Sequence, residues 1–447
     1  MSRLFPGGIH PREGVNGKAV NSKNAVIELP APARVVIPLS QHAGKPAAAL
    51  VKKGDAVKVG QKIGEAQGTI SACVHSSVSG KVFAVTTCTL PSGNVVPAVA
   101  IDNDDQYEWA ELKPAAHPEN LSAAELAAIL RECGVTGMGG AQFPTAVKLS
   151  IPEGKSVDTL IINGTECEPY LCADDHLMAD QPADVVDGVR LVMLALNIKT
   201  AIVGIEANKP AAIKAMTEAC GKTDGITVKA LPVRYPQGGE KQLIYALTRR
   251  KVPTGGLPAD IGVVVLNVST CRAISDAVRK GEPPIHRVTT VGGLVNKPGN
   301  FLVRIGTPIA DVIEAAGGLQ AGAVKVLCGG PMMGSAMMDL TAPVTKGTSG
   351  ITVLGKESEL QEEGPCIRCG RCVRACPMQL MPAKIDSARR HGNIEAMQKA
   401  GAMNCMECGA CTYACPAHRP LTQSCRTGKA MIRTAMAKKA AEEKKEV

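Results

Sequence analysis

Residues 366–377 read CIRCGRCVRACP, and residues 405–416 read CMECGACTYACP. Each is a C-x2-C-x2-C-x3-C-P run, the spacing by which thiolates hold cubane iron–sulfur clusters. The first three sulfurs of a run converge on three corners of one cube. The fourth cysteine, held before a proline that ends the loop, faces away and reaches the other cube. The spacing therefore assigns Cys366, Cys369, Cys372 and Cys415 to one 4Fe-4S cluster, and Cys405, Cys408, Cys411 and Cys376 to a second. Two zinc ribbons or plain buried thiols are the competing readings; the duplication and the closing Cys-Pro weigh against both.

Working outward, 447 residues predict about three or four domains. A hydrophobic share of 45% is enough for a sizeable core. Aromatic residues make up only 2%, with one Trp, which speaks against base stacking and so against a nucleic-acid partner. The net charge of +9 is scattered rather than striped, compatible with an acidic protein partner or an anionic membrane surface. The opening MSRLFPGGIH shows no apolar segment of a secretory signal, and no stretch reaches the length of a membrane span. Seventeen cysteines without such a signal predict a reducing, cytosolic compartment. The nine outside the two runs, Cys73, Cys88, Cys133, Cys167, Cys172, Cys220, Cys271, Cys328 and Cys425, read as small buried hydrophobes.

The chain reads as a multidomain α/β protein. Residues 1–25 form a Gly/Pro/Asn-rich arm, and from about 26 to 100 short β-branched runs such as AVIELP and RVVIPL alternate with turns. VKKGDAVKVGQKIGEA and VHSSVSGKVFAV resemble a biotinyl/lipoyl-like barrel-sandwich domain. Thr69 stands where carriers place their modified lysine, so a carrier-like fold without a carrier role is expected. A polar linker over 101–120 precedes SAAELAAILREC, opened by a Ser122/Glu125 capping box and stopped by Gly134. Strands TLIING, TAIVGI, ITVKALPV and GVVVLNV then alternate with helices near 182–196, 210–220, 239–250 and 271–280, predicting a largely parallel sheet. A β-grasp module follows. The predicted division is an arm and barrel over 1–115, an α/β domain over 116–285, the β-grasp over 286–358, an α-helical cluster domain over 359–428 and a charged tail over 429–447.

A second constellation sits at 134–148, GVTGMGGAQFPTAVK. Gly137, Gly139 and Gly140 let backbone amides approach a phosphate, and Lys148 can add charge. Glu166 and Glu168 follow the strand TLIING, while Asn267 and Thr270 end the strand GVVVLNV. All four therefore lie at C-terminal strand edges, where open α/β sheets bind ligands.

GMGGAQFPT, NGTECEP, YPQGGE and VLNVST occur in the order of the flavin-binding motifs of the NADH-oxidising subunit of respiratory complex I. GGLVNKPGNF, in the SLBB-like β-grasp position, continues that order. With the barrel and the two ferredoxin-type runs, the whole chain resembles the C component of the Rnf complex, an ion-translocating ferredoxin:NAD oxidoreductase. The resemblance implies FMN held by Gly137, Gly139, Gly140 and Lys148, and lined by Asn163, Glu166, Asn267 and Thr270. It places Glu168, as the catalytic candidate, with Tyr235 and Glu240 near flavin or nicotinamide, and Phe143 against the nucleotide. Met138, Gly239 and Leu257 depart from the Arg, Glu and aromatic residue of the complex I pattern.

The implied activity is electron transfer: hydride between NAD(H) and FMN, and single electrons with two 4Fe-4S clusters. Implied partners are other Rnf subunits, membrane-embedded and ferredoxin-like, at the cytoplasmic face of the cell membrane, with peripheral attachment through those partners. Two further readings share these residues. One is the cobalamin reductase of propanediol-utilisation microcompartments, which has this architecture; the other is a non-catalytic iron–sulfur wiring subunit.

Overall fold

The protein is described from a computed structural model covering residues 5–359 and 361–443. It forms two units, each assembled from distant parts of the chain. The larger contains residues 13–231 and 258–358; the smaller gathers the described residues of 1–12, 232–257 and 359–447.

In the larger unit, strands Ile226–Leu231, Thr200–Glu206, Thr159–Gly164 and Val263–Asn267 lie side by side in that order, all parallel. The last three read as near-continuous apolar runs because a parallel sheet is covered on both faces, while the edge strand Ile226–Leu231 is partly exposed. Successive residues Leu160, Ile161 and Ile162 are accordingly all inaccessible to solvent. Helices Pro182–Ala195, Pro210–Cys220 and Val268–Lys280 fall where the alternation predicts them. Gly188 sits inside the first of these because a Cβ there would lie 1.8 Å from the Cys271 carbonyl on the third. Ser122 caps the helix Ala123–Glu132 through the expected reciprocal bonds with Glu125.

The barrel also belongs to this unit. One sheet runs Arg34–Pro38, Val95–Asn103, Gly80–Thr89, Ala56–Val57; the other runs Ala48–Ala49, Lys62–Glu65, Val74–His75. Val35, Ile37, Ile63, Val74, Val99 and Ile101 fill the space between them. Thr69 lies in the connection between Lys62–Glu65 and Val74–His75, and Arg131 donates to the carbonyls of Gly68 and Thr69.

Two sequence expectations change here. The AVIELP segment is not part of the barrel: Val26–Glu28 pairs in parallel with Gly299–Arg304 and forms the edge of the six-stranded β-grasp sheet. A three-residue strand carries no local mark of its partner, and the free edge of Gly299–Arg304 decides it. The expected linker likewise begins later, because Ile101–Asn103 completes a barrel strand.

In the smaller unit, helices Arg371–Ala375 and Ala410–Tyr413 each sit inside a cysteine run. Pro382–Arg390 and Ile394–Lys399 connect the runs, and Leu421–Glu443 closes the unit. Buried Asp386 ties connector to closing helix, accepting from Ser424 Oγ at 2.6 Å, Arg390 Nε at 3.0 Å and Arg419 Nε at 3.1 Å. Burial pushes its pKa up, but these donors outweigh that and hold it below the ordinary carboxylate value.

Two expected boundaries differ from this arrangement. Residues 232–257 join the cluster domain rather than a continuous α/β domain over 116–285. Tyr235 Oη donates to the Cys408 carbonyl at 2.8 Å, and Gln242 Nε2 contacts Met378 Sδ at 3.1 Å. The expected break at 428/429 falls within the helix Leu421–Glu443, so the tail is helical to residue 443; its last four residues lie outside the described residues.

Candidate functional site

The glycine loop starts at Gly134, whose φ of +66° and close packing on the Cys73 carbonyl exclude a side chain. Lys346, fully buried, donates to the carbonyls of Gly134 at 2.6 Å and Cys73 at 3.2 Å. Burial pushes its pKa down to about 8. The loop closes on itself through Gly137 N–H to the Phe143 carbonyl and Thr145 N–H to the Val135 carbonyl. Met138 is held at both ends of its peptide: its N–H donates to Thr270 Oγ1, and its carbonyl accepts from buried Arg287. The departure at Met138 therefore places a buried side chain on a backbone fixed by a threonine and an arginine.

The three predicted glycines serve space and not dihedral freedom, since none has a positive φ. A Cβ on Gly139 would stand 2.6 Å from the Asn267 amide, whereas one on Gly140 would meet nothing within 4 Å. Loop backbone at Gly139 thus rests on a strand end, with clear room beside Gly140. The loop backbone there leaves room for a phosphate to approach its amides. Lys148 donates to the Val265 carbonyl at 3.0 Å, and Phe143 is half-buried at the loop's return.

Asn163 and Asn267 are register partners at the C-terminal ends of adjacent parallel strands. Asn267 caps the helix Val268–Lys280 through Ser269 N–H, and its amide donates to Asp174 Oδ2 at 2.6 Å. Asp174 also accepts from Ser269 Oγ at 2.7 Å, with Arg287 at 3.8 Å. Asp174 and Arg287 carry no sequence signal of their own, whereas Ser269 lies inside the quoted VLNVST motif.

The helix Ala173–Asp180 is also not legible in the sequence, being short and polar. It begins where it does because the Glu166 carboxylate accepts from the N–H groups of Asp174 and Asp175, at 2.8 and 3.1 Å. Glu166 therefore turns its carboxylate to a helix start, and its carbonyl accepts from Lys18 of the N-terminal arm. Burial first, then Asp174, pushes the Glu166 pKa up from 4.5 to about 7, against the opposing pull of Lys18 and Lys209. Between those pH values the folded chain keeps a proton that the unfolded chain has lost, so stability falls as pH rises through that window. Glu166→Gln is expected to remove this part of the slope of Tm against pH; an unchanged slope would show that the carboxylate is ionised in the fold.

Glu168 accepts the Met332 N–H at 3.1 Å. Gly330 has no side chain because a Cβ would lie 2.2 Å from that carboxylate. The stretch CGGPMMGSAMM, residues 328–338, thereby meets the strand-end loop, and its Met333 and Met338 are exposed. Tyr235 and Glu240, and exposed Leu257, lie in the smaller unit.

In that unit one cavity is lined by Cys376, Cys405, Cys408 and Cys411, together with Cys425 and Thr422. A soft donor set of four thiols fits a 4Fe-4S cluster. Leu380 N–H and Glu407 N–H approach the sulfurs of Cys376 and Cys405, each at 3.4 Å. In the other set Cys366 and Cys369 are exposed, and Cys372 has Cys415 and Cys366 as electrostatic neighbours. Cys425, expected to be a small buried hydrophobe, is buried and also lines the cavity of Cys376, Cys405, Cys408 and Cys411.

A glycine loop at a parallel sheet edge and a double thiol set suit a flavin and iron–sulfur electron-transfer subunit. Family models match in the same order along the chain: the RnfC barrel sandwich hybrid domain over 3–106, the Nuo51 FMN-binding domain over 130–276, the SLBB domain over 288–336 and a 4Fe-4S dicluster domain over 365–418. The chain is 48% identical over 389 residues to the C component of the proton-translocating ferredoxin:NAD(+) oxidoreductase complex of Clostridium ljungdahlii, covering 86% of this chain and 84% of that one. It is 43% identical to the C component of the Na(+)-translocating ferredoxin:NAD(+) oxidoreductase complex of Acetobacterium woodii, covering 96% and 97%. Against the C component of the ion-translocating oxidoreductase complex of Rhodobacter capsulatus it is 44% identical, covering 95% and 82%. A chain of an NAD+-reducing [NiFe]-hydrogenase structure aligns with a TM-score of 0.48 at 20% identity, over 72% of this chain and 65% of that one. The chain belongs to the RnfC family, the C components of ion-translocating oxidoreductase complexes, and its cofactors are FMN and 4Fe-4S clusters.

Proposed function

We propose that this chain is the NAD(H)-linked electron-transfer subunit of an ion-translocating ferredoxin:NAD oxidoreductase. The observation that carries the reading is the loop Gly137–Gly140 seated on Asn267 and Thr270, in a chain that also brings Cys376 to Cys405, Cys408 and Cys411. When bound, FMN supplies the conversion between the two-electron hydride chemistry of NAD(H) and the single electrons that iron–sulfur clusters carry.

The chain's own part is binding and orientation. The loop backbone at Gly139 and Gly140 receives phosphate, and Lys148 sets the charge nearby. Asn163 and Asn267 present the strand ends toward the flavin, with Asn267 fixed by Asp174. Glu168 holds the strand-end loop against Met332 on the side proposed for nicotinamide. Partners are the membrane-embedded and ferredoxin-like subunits of the complex, and the location is the cytoplasmic face of the membrane. No helix among the described residues is long and apolar enough to cross a membrane, in keeping with attachment through those partners.

Anaerobic purification with flavin and iron analysis, followed by NADH addition, tests the reading. Bound FMN that bleaches on NADH supports it; iron without FMN would leave a wiring subunit. Glu168→Gln is expected to retain FMN and slow its bleaching about tenfold, equivalent to about 1.4 kcal/mol in the barrier. Stopped-flow bleaching at the unaltered rate would remove Glu168 from the nicotinamide side.

A further inference from the structure

We propose that Thr422 and Cys425, on the helix Leu421–Glu443, donate hydrogen bonds to the thiolates of one cluster and raise the reduction potential of that cluster alone. The inference rests on reading Cys376, Cys405, Cys408 and Cys411 as cluster ligands. Positions 422, 425 and 429 are three and four residues apart, so they share one face of this helix. All three reach the second cysteine run. Thr422 Oγ1 lies 3.5 Å from Cys411 Sγ. Cys425 lines the same cavity as Cys405, and Lys429 Nζ donates to the Cys405 carbonyl at 2.9 Å.

The directions of these bonds follow from the inventory of protons. A ligating thiolate has no hydrogen and can only accept. Cys425, not itself a ligand, keeps its hydrogen and is the donor toward the cluster sulfurs of this cavity. Thr412 Oγ1 accepts the Thr422 N–H at 2.9 Å and lies 2.8 Å from Thr422 Oγ1. If the Thr412 hydroxyl donates across that contact, the hydrogen of Thr422 is left for Cys411. Cys425 is 1% exposed, so water does not compete for its thiol.

Reducing a cubane adds one negative charge, spread partly over the ligating sulfurs. Donors aimed at those sulfurs stabilise the reduced form more than the oxidised form, and the potential rises. The helix thus makes two sequence-alike cysteine runs inequivalent. The cavity holds five cysteines where a cubane takes four, and the fifth is assigned as donor and not as ligand.

The test is an EPR-monitored redox titration of the full-length, cluster-loaded chain, with Cys425→Ala and Thr422→Val made separately. Each variant is expected to keep about eight iron atoms. One midpoint should move to more negative potential while the other stays fixed. A tenfold fall in the reduced-to-oxidised ratio corresponds to a shift of about 59 mV. Cys425→Ser, which keeps a donor, should recover part of the shift. Both midpoints unchanged in both variants would overturn the proposal. Loss of half the iron in Cys425→Ala would overturn it differently, by making Cys425 a ligand. Failure of the underlying cluster reading is separate: the unaltered chain would then show no pair of 4Fe-4S signals.

Discussion

Cys376→Ser is expected to cut the iron content from about eight to about four atoms per chain and to remove one of two EPR signals from the reduced protein. The signal lost should be that of the cluster held by Cys405, Cys408 and Cys411, although Cys376 lies in the other run. The cavity lining carries this expectation, since Cys376 faces those three cysteines. Its backbone leaves the helix Arg371–Ala375 in an extended conformation, which turns the side chain out of its own run. Gly7 packs on the Cys376 carbonyl so closely that a Cβ would lie 2.4 Å away, fixing that turn from outside. Serine offers a hard oxygen with a high pKa in place of a soft thiolate and holds iron–sulfur clusters poorly. The neighbouring Cys425 offers one escape, so the variant is best paired with Cys376→Ser/Cys425→Ala. Loss of the signal tied to Cys366, Cys369 and Cys372 instead would show that each run serves its own cluster.

Gly140→Val is expected to drop FMN from about one per chain to a small fraction while the thermal transition and both clusters stay in place. A Cβ there meets no protein atom within 4 Å and Gly140 has no positive φ, so little change in the apoprotein is expected. What it fills is the room beside the loop. Gly139→Val is the informative contrast: its Cβ would strike the Asn267 amide at 2.6 Å and disturb the helix cap as well as the glycine loop. Stability should fall in that variant and not in Gly140→Val. Stoichiometric FMN in the Gly140→Val protein would overturn the assignment of this loop.

Whatever depends on spacing over a few residues is legible from the amino acids alone. The duplicated cysteine runs name the cluster type, because thiolate geometry is set within a dozen residues. Apolar runs separated by helical periods mark the four parallel strands, and Ser122 with Glu125 marks a helix start from side-chain chemistry alone. The order of motifs carries the family.

Which distant segments meet is decided only in the folded chain. Val26–Glu28 could pair with any free edge of matching register, and only the folded β-grasp sheet supplies it. Tyr235 and its segment join the cluster domain through a bond to the Cys408 carbonyl, across 173 residues of sequence. Asp174 becomes a hub, Lys346 a buried brace and Cys425 a neighbour of the second cysteine run only once remote elements pack around them. The physical reason is common to all of these. Local propensity and ligand spacing act along the chain, whereas burial, desolvation and long-range hydrogen bonds depend on neighbours that the chain brings together only when it folds.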